Sequence, residues 1–353
     1  MVQRILESAA SIEALDQSAI PRLRMPERAT VFSARAARLR QLADASHPIA
    51  GYLRLMAALA DAQQHVLAGF TAPMPSRESI ALNQQHSMPI VPALGANERD
   101  PAWRDVLFML LDRIEAAGAL TPPLAQLVAH LRSMPAAKLD AQADAILALR
   151  FAEIEPAAAP FIVAALQVVW TDIASRIGSA EVPYMDTSGV CPVCGTMPVA
   201  SIVRVGGVHE GYRYVQCGLC STEWHVVRAK CSNCDSTKGI AYHAMDGAEA
   251  STAQTAEDEQ ARAERARNAP LKAESCDECG TYRKIGYQEK AYDFEPFADD
   301  LASLTLDLLM GDAGFRRPAP NPWLWPEQSA SDEADQADQA DQAGQAGQAD
   351  QAR

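Results

Sequence analysis

The chain has 353 residues, 48% of them hydrophobic, and a formal net charge of −14. That length suits two or three domains with ample apolar material for their cores, and the acidic balance argues against nucleic acid or an anionic membrane surface as the main partner. Glu327–Arg353 holds seven acids and one base, while Asp186–Met310, which contains every cysteine, holds 12 basic and 19 acidic residues. A nucleic-acid zinc ribbon is ordinarily basic, so that class is set aside as well.

The opening MVQRILESAASIEALDQ has no apolar stretch followed by a small-residue cleavage site, so no signal peptide is expected. Residues 1–26 read as a weakly patterned N-terminal extension, punctuated by Pro21 and Pro26. Glu27–Ala45 is helical in pattern, with Arg35, Arg38 and Arg40 along it. A second helix begins near Gly51, where Tyr52, Leu55, Met56, Leu59, Val66 and Leu67 recur mostly at three- and four-residue steps. Thr71–Pro101 reads as a long, mostly irregular connection. Trp103, Val106, Leu107, Leu110, Leu111 and Ile114 then mark one face of an amphipathic helix closed by Gly118. Further helices follow from Pro122 and Pro123, over Lys138–Ala152, and over Ala157–Ile177. The apolar run Ala157–Ala174 is broken by Pro160, Gln167 and Asp172. It falls short of the ~20 apolar residues of a membrane span, so it is expected as a buried helix with no stable membrane insertion. Residues 27–182 therefore form an all-helical domain. His47, His65, His86 and His130 within it have no cysteine or carboxylate pair beside them and read as surface or capping histidines.

After Pro183 the texture becomes β-rich, over Val199–Val205, Tyr212–Cys217, Glu223–Val227, Ile240–Met245 and Arg283–Gln288. All eight cysteines fall here, as four Cys-x-x-Cys pairs: Cys191/Cys194, Cys217/Cys220, Cys231/Cys234 and Cys276/Cys279. Each such turn aims two sulfurs at one point, so four turns imply two metal sites of four thiolates. A disulfide framework belongs to short secreted chains, and a thioredoxin-type motif uses one such turn rather than four. Sequential pairing of the knuckles is simplest, and spacing leaves interleaved pairing open. Small sheets closed by metal suit segments whose cores are too small to hold alone. The fold class is thus α+β multidomain: an N-terminal all-α domain followed by two small zinc-ribbon-like four-cysteine metal modules, over 183–228 and 229–326. Unoxidised, metal-ready cysteines fit a reducing cytoplasm.

Trp224 is expected beside the first module's metal site, with His225 on the outer face of its strand. Arg228 and Lys230 stand where they could donate hydrogen bonds to thiolates. Asp246–Glu274 reads as a solvated helix or loop. Asp299–Met310 reads as one amphipathic helix capped by Asp299 or Asp300, lined by Leu301, Leu304 and Leu308, and packed on the second module. Asn321–Pro326 (NPWLWP) is expected to dock on the body, and the repeats of 327–353 read as a disordered low-complexity tail. No nucleophile with a base, phosphate loop or acid–base carboxylate pair is evident, so no catalytic or organic-cofactor residues are assigned and no enzyme is expected.

Several segments resemble the formate dehydrogenase accessory protein FdhE family: Cys191–Ser201 (CPVCGTMPVAS), Arg213–Cys234 (RYVQCGLCSTEWHVVRAKCSNC), Ala273–Lys290 (AESCDECGTYRKIGYQEK), Ala298–Leu309 (ADDLASLTLDLL) and NPWLWP. On the helical side, Arg35–Ala43, Gly51–Leu55 and Ala159–Leu166 are similar too. The resemblance implies a helical domain with two rubredoxin-like modules. It further implies a cytoplasmic accessory protein that binds the catalytic subunit of respiratory formate dehydrogenase before export. It implies iron as the metal, held by the eight knuckle cysteines, with zinc the alternative; the Cys-Pro-x-Cys-Gly of the first knuckle also favours iron. A rubredoxin-like redox carrier acting on the formate dehydrogenase active site is the second reading. Gln216 stands where a histidine often precedes the second knuckle, which speaks against a catalytic histidine there.

Overall fold

The computed structural model describes residues 2–5, 20–94, 99–118, 120–206, 210–245 and 256–325. The disordered-tail reading of 327–353 and, but for residues 2–5, the signal-peptide reading of the first seventeen lie outside the described residues.

Seven helices build the N-terminal region: α1 (Val31–Leu42), α2 (Ala50–Gly69), α3 (Arg77–Gln85), α4 (Ala102–Ala116), α5 (Pro122–Ser133), α6 (Ala136–Leu147) and α7 (Ala159–Ser175). The periodic apolar residues of α4, from Trp103 to Ile114, are all buried, as their spacing predicts. Helix α7 is buried on every side from Ala159 to Ala174, which is why its sequence shows little polar face. Its two interrupting polar residues are satisfied inside. Asp172 accepts from Arg28 Nε at 3.0 Å, Arg176 Nη2 at 2.6 Å and the Ala72 amide at 2.8 Å. Helix α3 lies in the stretch expected to be irregular. It buries no residue, so it carries no apolar period; its local signal is Ser76, whose hydroxyl caps the Ser79 amide at 3.1 Å.

One eight-stranded sheet holds both cysteine-rich regions, in the order β1-β6-β7-β8-β3-β4-β5-β2. Its strands are β1 (Val2–Ile5), β2 (Leu23–Arg24), β3 (Pro198–Val203), β4 (Arg213–Cys217), β5 (Glu223–His225), β6 (Ile240–Met245), β7 (Leu271–Cys276) and β8 (Thr281–Tyr287). Every pairing is antiparallel except β3 with β8, which run parallel with Ser201 opposite Ile285. Two antiparallel halves thus meet at one parallel seam, and each half carries one pair of knuckles. Strands β1 and β2, from the stretch read as an unpatterned extension, form the two outer edges. Within Asp246–Glu274, α8 (Ala256–Asn268) agrees with the helical reading, but Leu271–Glu274 belongs to β7 between β6 and β8. The charged residues of β7 obscured this: Lys272 and Glu274 are both buried.

The helix expected over Asp299–Met310 is two, α9 (Pro296–Ala302) and α10 (Leu304–Asp312). The break is at Ser303, whose hydroxyl donates to the carbonyls of Asp299 and Asp300 at 2.7 and 3.1 Å and so competes with the helical ladder. Glu295 is the cap, accepting from the Ala298 amide at 2.7 Å. Asp299 instead pairs with Arg38, and buried Asp300 with Arg317. Leu306 and Met310, not the exposed Leu308, pack α10 against Ala273 and Tyr282 of the sheet. The NPWLWP segment docks on the body through Trp323 and Trp325, both buried, and Trp323 packs edge-on against Phe297 at 4.6 Å.

Candidate metal centres

Each knuckle closes by the same turn. The residue after its second cysteine takes a positive φ: Gly195 at 78°, Ser221 at 58°, Asp235 at 62° and Gly280 at 63°. The first cysteine's amide donates back across the turn, Cys191 to Thr196, Cys217 to Thr222 and Cys231 to Ser236, at 2.8–2.9 Å, and in the fourth knuckle Cys276 stands opposite Thr281 in the β7–β8 pairing. A left-handed residue there costs little for glycine and is tolerated for the aspartate by its short polar side chain. Backbone amides then turn inward onto sulfur: Val193 to Cys191 Sγ at 3.4 Å, Leu219 and Cys220 to Cys217 Sγ at 3.3 Å, and Asn233 to Cys231 Sγ at 3.4 Å.

The knuckles assemble in sequence order. Cys191, Cys194, Cys217 and Cys220 form one group and Cys231, Cys234, Cys276 and Cys279 another, with the ligand atoms of each within 4.8 Å of one another. Across facing knuckles, Cys191 and Cys220 Sγ are 3.6 Å apart and Cys194 and Cys217 Sγ 3.3 Å in the first group, with 3.9 Å for Cys231–Cys279 and 3.7 Å for Cys234–Cys276 in the second. Metal–sulfur bonds of about 2.3 Å in a tetrahedron would set sulfurs about 3.8 Å apart, so both groups have the size and donor chemistry to hold a metal ion. A bound zinc ion would act there as a cross-link, and a bound iron ion would add one-electron capacity.

Hydroxyl residues supply a further layer that the cysteine spacing did not disclose. Thr196 Oγ1 lies 3.2 Å from both Cys194 Sγ and Cys217 Sγ, tying the first knuckle to the second. Thr222 and Thr281 sit 3.2 and 3.0 Å from Cys220 Sγ and Cys279 Sγ. The signal was in the sequence: Ser or Thr stands two residues past every second cysteine, at Thr196, Thr222, Ser236 and Thr281. Ser236 is the exception in geometry, bonding the backbone of Lys238 instead.

The first group is fully enclosed and belongs to the same apolar cluster as α2, α4 and α7. Gln167 of α7 fixes it in place. Its amide donates to the Gly218 carbonyl inside the second knuckle at 2.7 Å, and its oxygen accepts from Gln63 at 2.9 Å and Trp323 at 3.1 Å. A second tie comes from the chain before α4: the amides of Ile90, Val91 and Ala93 bond the carbonyls of Pro192, Val193 and Cys194. Burial pushes the Cys191 and Cys220 thiols up. Burial opposes ionisation of Cys217 too, yet hydrogen bonds from the other three thiols and Thr196 hold it below the usual thiol range.

The second group opens to one side, with Cys234 exposed and Cys279 half-buried. At Cys279 burial is outweighed by hydrogen bonds from Thr281, Cys234 and Asn233, and the thiol is lowered to about 7.

Trp224 does pack beside the first group, its indole donating to Ser188 just before the first knuckle at 3.0 Å. His225 sits edge-on to Tyr212 and Tyr214. Lys230 pairs with Asp235 at 2.8 Å, and the Arg228 carbonyl accepts from Tyr242. Among the helical-region histidines, His47 bonds the Ala302 carbonyl and His130 bonds Glu155.

Three models of one family match in succession: "FdhE, N-terminal" over residues 20–186, "FdhE, central domain" over 190–228 and "FdhE, C-terminal domain" over 229–324. A relative from Klebsiella pneumoniae described as "Protein FdhE homolog" is 38% identical over 322 residues, covering 91% of this chain and 96% of the relative. A protein of the same description from Cronobacter sakazakii is 38% identical over 308 residues, covering 87% and 92%. The crystal structure of the FdhE protein from Pseudomonas aeruginosa superposes with a TM-score of 0.71 at 33% identity, covering 87% of this chain and 100% of that one. With these matches running from the helical region through both cysteine groups, the chain belongs to the FdhE family.

Proposed function

We propose that this chain is a non-enzymatic accessory factor in the maturation of a respiratory formate dehydrogenase. It binds the catalytic subunit in the cytoplasm before that subunit is exported. The observation that carries this reading is the family match over nearly the whole chain, including the region of both four-cysteine groups. In this reading Cys191, Cys194, Cys217 and Cys220 hold one metal ion and Cys231, Cys234, Cys276 and Cys279 a second, iron by preference and zinc otherwise. The helical domain and the two modules together present the surface that the subunit meets. The test is a deletion in the native host, followed by co-purification of the tagged full-length chain with the catalytic subunit from the cytoplasmic fraction. Formate dehydrogenase activity is expected to fall and to return with the wild-type gene, and the subunit is expected in the eluate. Unchanged activity in the deletion strain ends the proposal.

A second reading, a rubredoxin-like redox carrier acting on the formate dehydrogenase active site, is favoured by one observation. Cys234 gives the second group an open face through which an electron could pass to a partner. Visible thiolate-to-iron bands that bleach reversibly on reduction are its expected signature; a colourless protein carrying two zinc ions excludes it.

A further inference from the structure

Both four-cysteine groups have a buried arginine hydrogen-bonded to the serine beside one of their cysteines, and the two arginines are neutralised differently. At the first group, Arg35 reaches Ser221, next to Cys220, at 3.4 Å and is paired with Glu295 at 3.2 Å. At the second, Arg283 of β8 donates from Nε to Ser232, next to Cys231, at 2.9 Å and from Nη1 to the carbonyl of Pro198. Its Nη2 has no partner, and among the described residues it makes no ion pair. Glu274, its neighbour across β7 and β8, pairs through Oε1 with Arg213 at 2.8 Å and leaves Oε2 without a hydrogen-bond partner, so its one charge is already shared with Arg213; Arg317 is held by Asp300 and Asp307. Arg283 is only 4% exposed. Burial, Arg317 and Arg213 disfavour its charge, while Cys231 and Glu274 favour it.

A guanidinium removed from water needs a compensating anion close by. Four thiolates around a divalent ion carry a net charge of about −2, and the second group is the anion that Arg283 lacks. We propose that Arg283 is the buried counter-charge of the second centre and sets how tightly that centre keeps its metal. The inference rests on reading the centre as a metal site. Arg35, already matched by Glu295, has no such role at the first.

The test uses the full-length chain loaded with zinc, as wild type, Arg283→Met and Arg283→Lys. Zinc is withdrawn by a chromophoric chelator, and thermal midpoints are recorded with and without zinc. In Arg283→Met one of the two zinc equivalents is expected to be held about tenfold less tightly, or worse, the scale of a single charge interaction in partly dry protein. The other equivalent stays as in wild type, and Arg283→Lys, which keeps the charge, retains both. The midpoint of Arg283→Met falls with zinc bound and holds or rises without it, because the metal-free chain sheds an uncompensated buried charge. Equal losses in both states mean that the bonds to Ser232 and Pro198 act alone, and they overturn the proposal. So does unchanged zinc retention in Arg283→Met. If Arg283→Met does not fold, Arg283→Lys decides: tenfold weaker retention there would show that the hydrogen-bonding fork, not charge, matters. A wild-type chain that binds no zinc or iron would instead refute the metal reading itself.

Discussion

At the first centre all four cysteines are shut off from solvent and share an apolar cluster with Val193, Leu219, Trp224 and the helices, whereas at the second Cys234 faces solvent and Cys279 is half-buried. The packing around them differs in the same direction. The first is tied by Gln167 to α7 and by the Ile90–Ala93 backbone to its knuckle, while the apolar groups of the second half-sheet are small, such as Ala273, Tyr282, Leu306 and Met310. One turn chemistry, repeated four times, thus serves two ends. A metal in the first centre would be part of the core of the molecule, and a metal in the second would lie where small molecules and partners can reach it.

The sharpest way to break that comparison is to remove one ligand from each centre. Cys217→Ser places a hydroxyl in the core and is expected to destabilise the metal-loaded chain by about 4–5 kcal/mol, against about 1–2 kcal/mol for Cys234→Ser at the open edge. Similar losses of thermal midpoint would show that the two centres support the fold equally. Gln167→Leu severs the bonds to Gly218, Gln63 and Trp323 together and is expected to cost about 2–4 kcal/mol, measured by denaturant unfolding. The loss should be alike with and without metal, since that network joins helices and knuckle whatever the cysteines hold. A loss confined to the loaded state would place Gln167 in the metal's service instead. Metal withdrawal itself should be biphasic. One equivalent leaves about tenfold faster than the other, and Cys234→Ser abolishes the fast phase alone; a single phase would mean that burial does not govern release. The smallest contrast is between Thr196→Val, which loses contacts to two sulfurs in different knuckles, and Thr281→Val, which loses one. Midpoint shifts corresponding to about 1 kcal/mol and a few tenths are expected, and the reverse order would deny Thr196 its bridging role.

The knuckles themselves and most of the helices were legible because their signals are local; which knuckle meets which was not, because spacing allowed interleaved as well as sequential pairing. Cys-x-x-Cys sets two sulfurs within one turn, and three- and four-residue apolar steps mark a helix wherever one face is buried. The misses have the complementary cause. Helix α3 buries nothing, so its sequence has no stripe to read. Strand β7 hides Lys272 and Glu274 inside, Lys272 over the Tyr287 ring of β8 and Glu274 against Arg213 of β4, and no local rule anticipates a buried charge. The four-residue β1 and two-residue β2 are too short to show alternation, and they exist only because β6 and β5 offer open edges. The unequal burial of the two centres is invisible in knuckles of identical spacing, because it is set by α7 and the Trp323 segment, which come from elsewhere in the chain. The hydroxyl after each knuckle was visible, and its meaning came only with the sulfur distances.

The outer strands carry a consequence for the order of events as the chain is made. Both flanks of the sheet come from the first 24 residues, yet β2 closes on Trp224 and β1 on Met245. At roughly 5–20 residues per second of synthesis, β1 and β2 leave the ribosome on the order of ten seconds or more before their partner strands exist. The sheet therefore cannot be finished while the chain is growing through its helices. Residues fused ahead of β1 would emerge beside Met245 at the end of β6, on the flank of the half-sheet that holds the open centre.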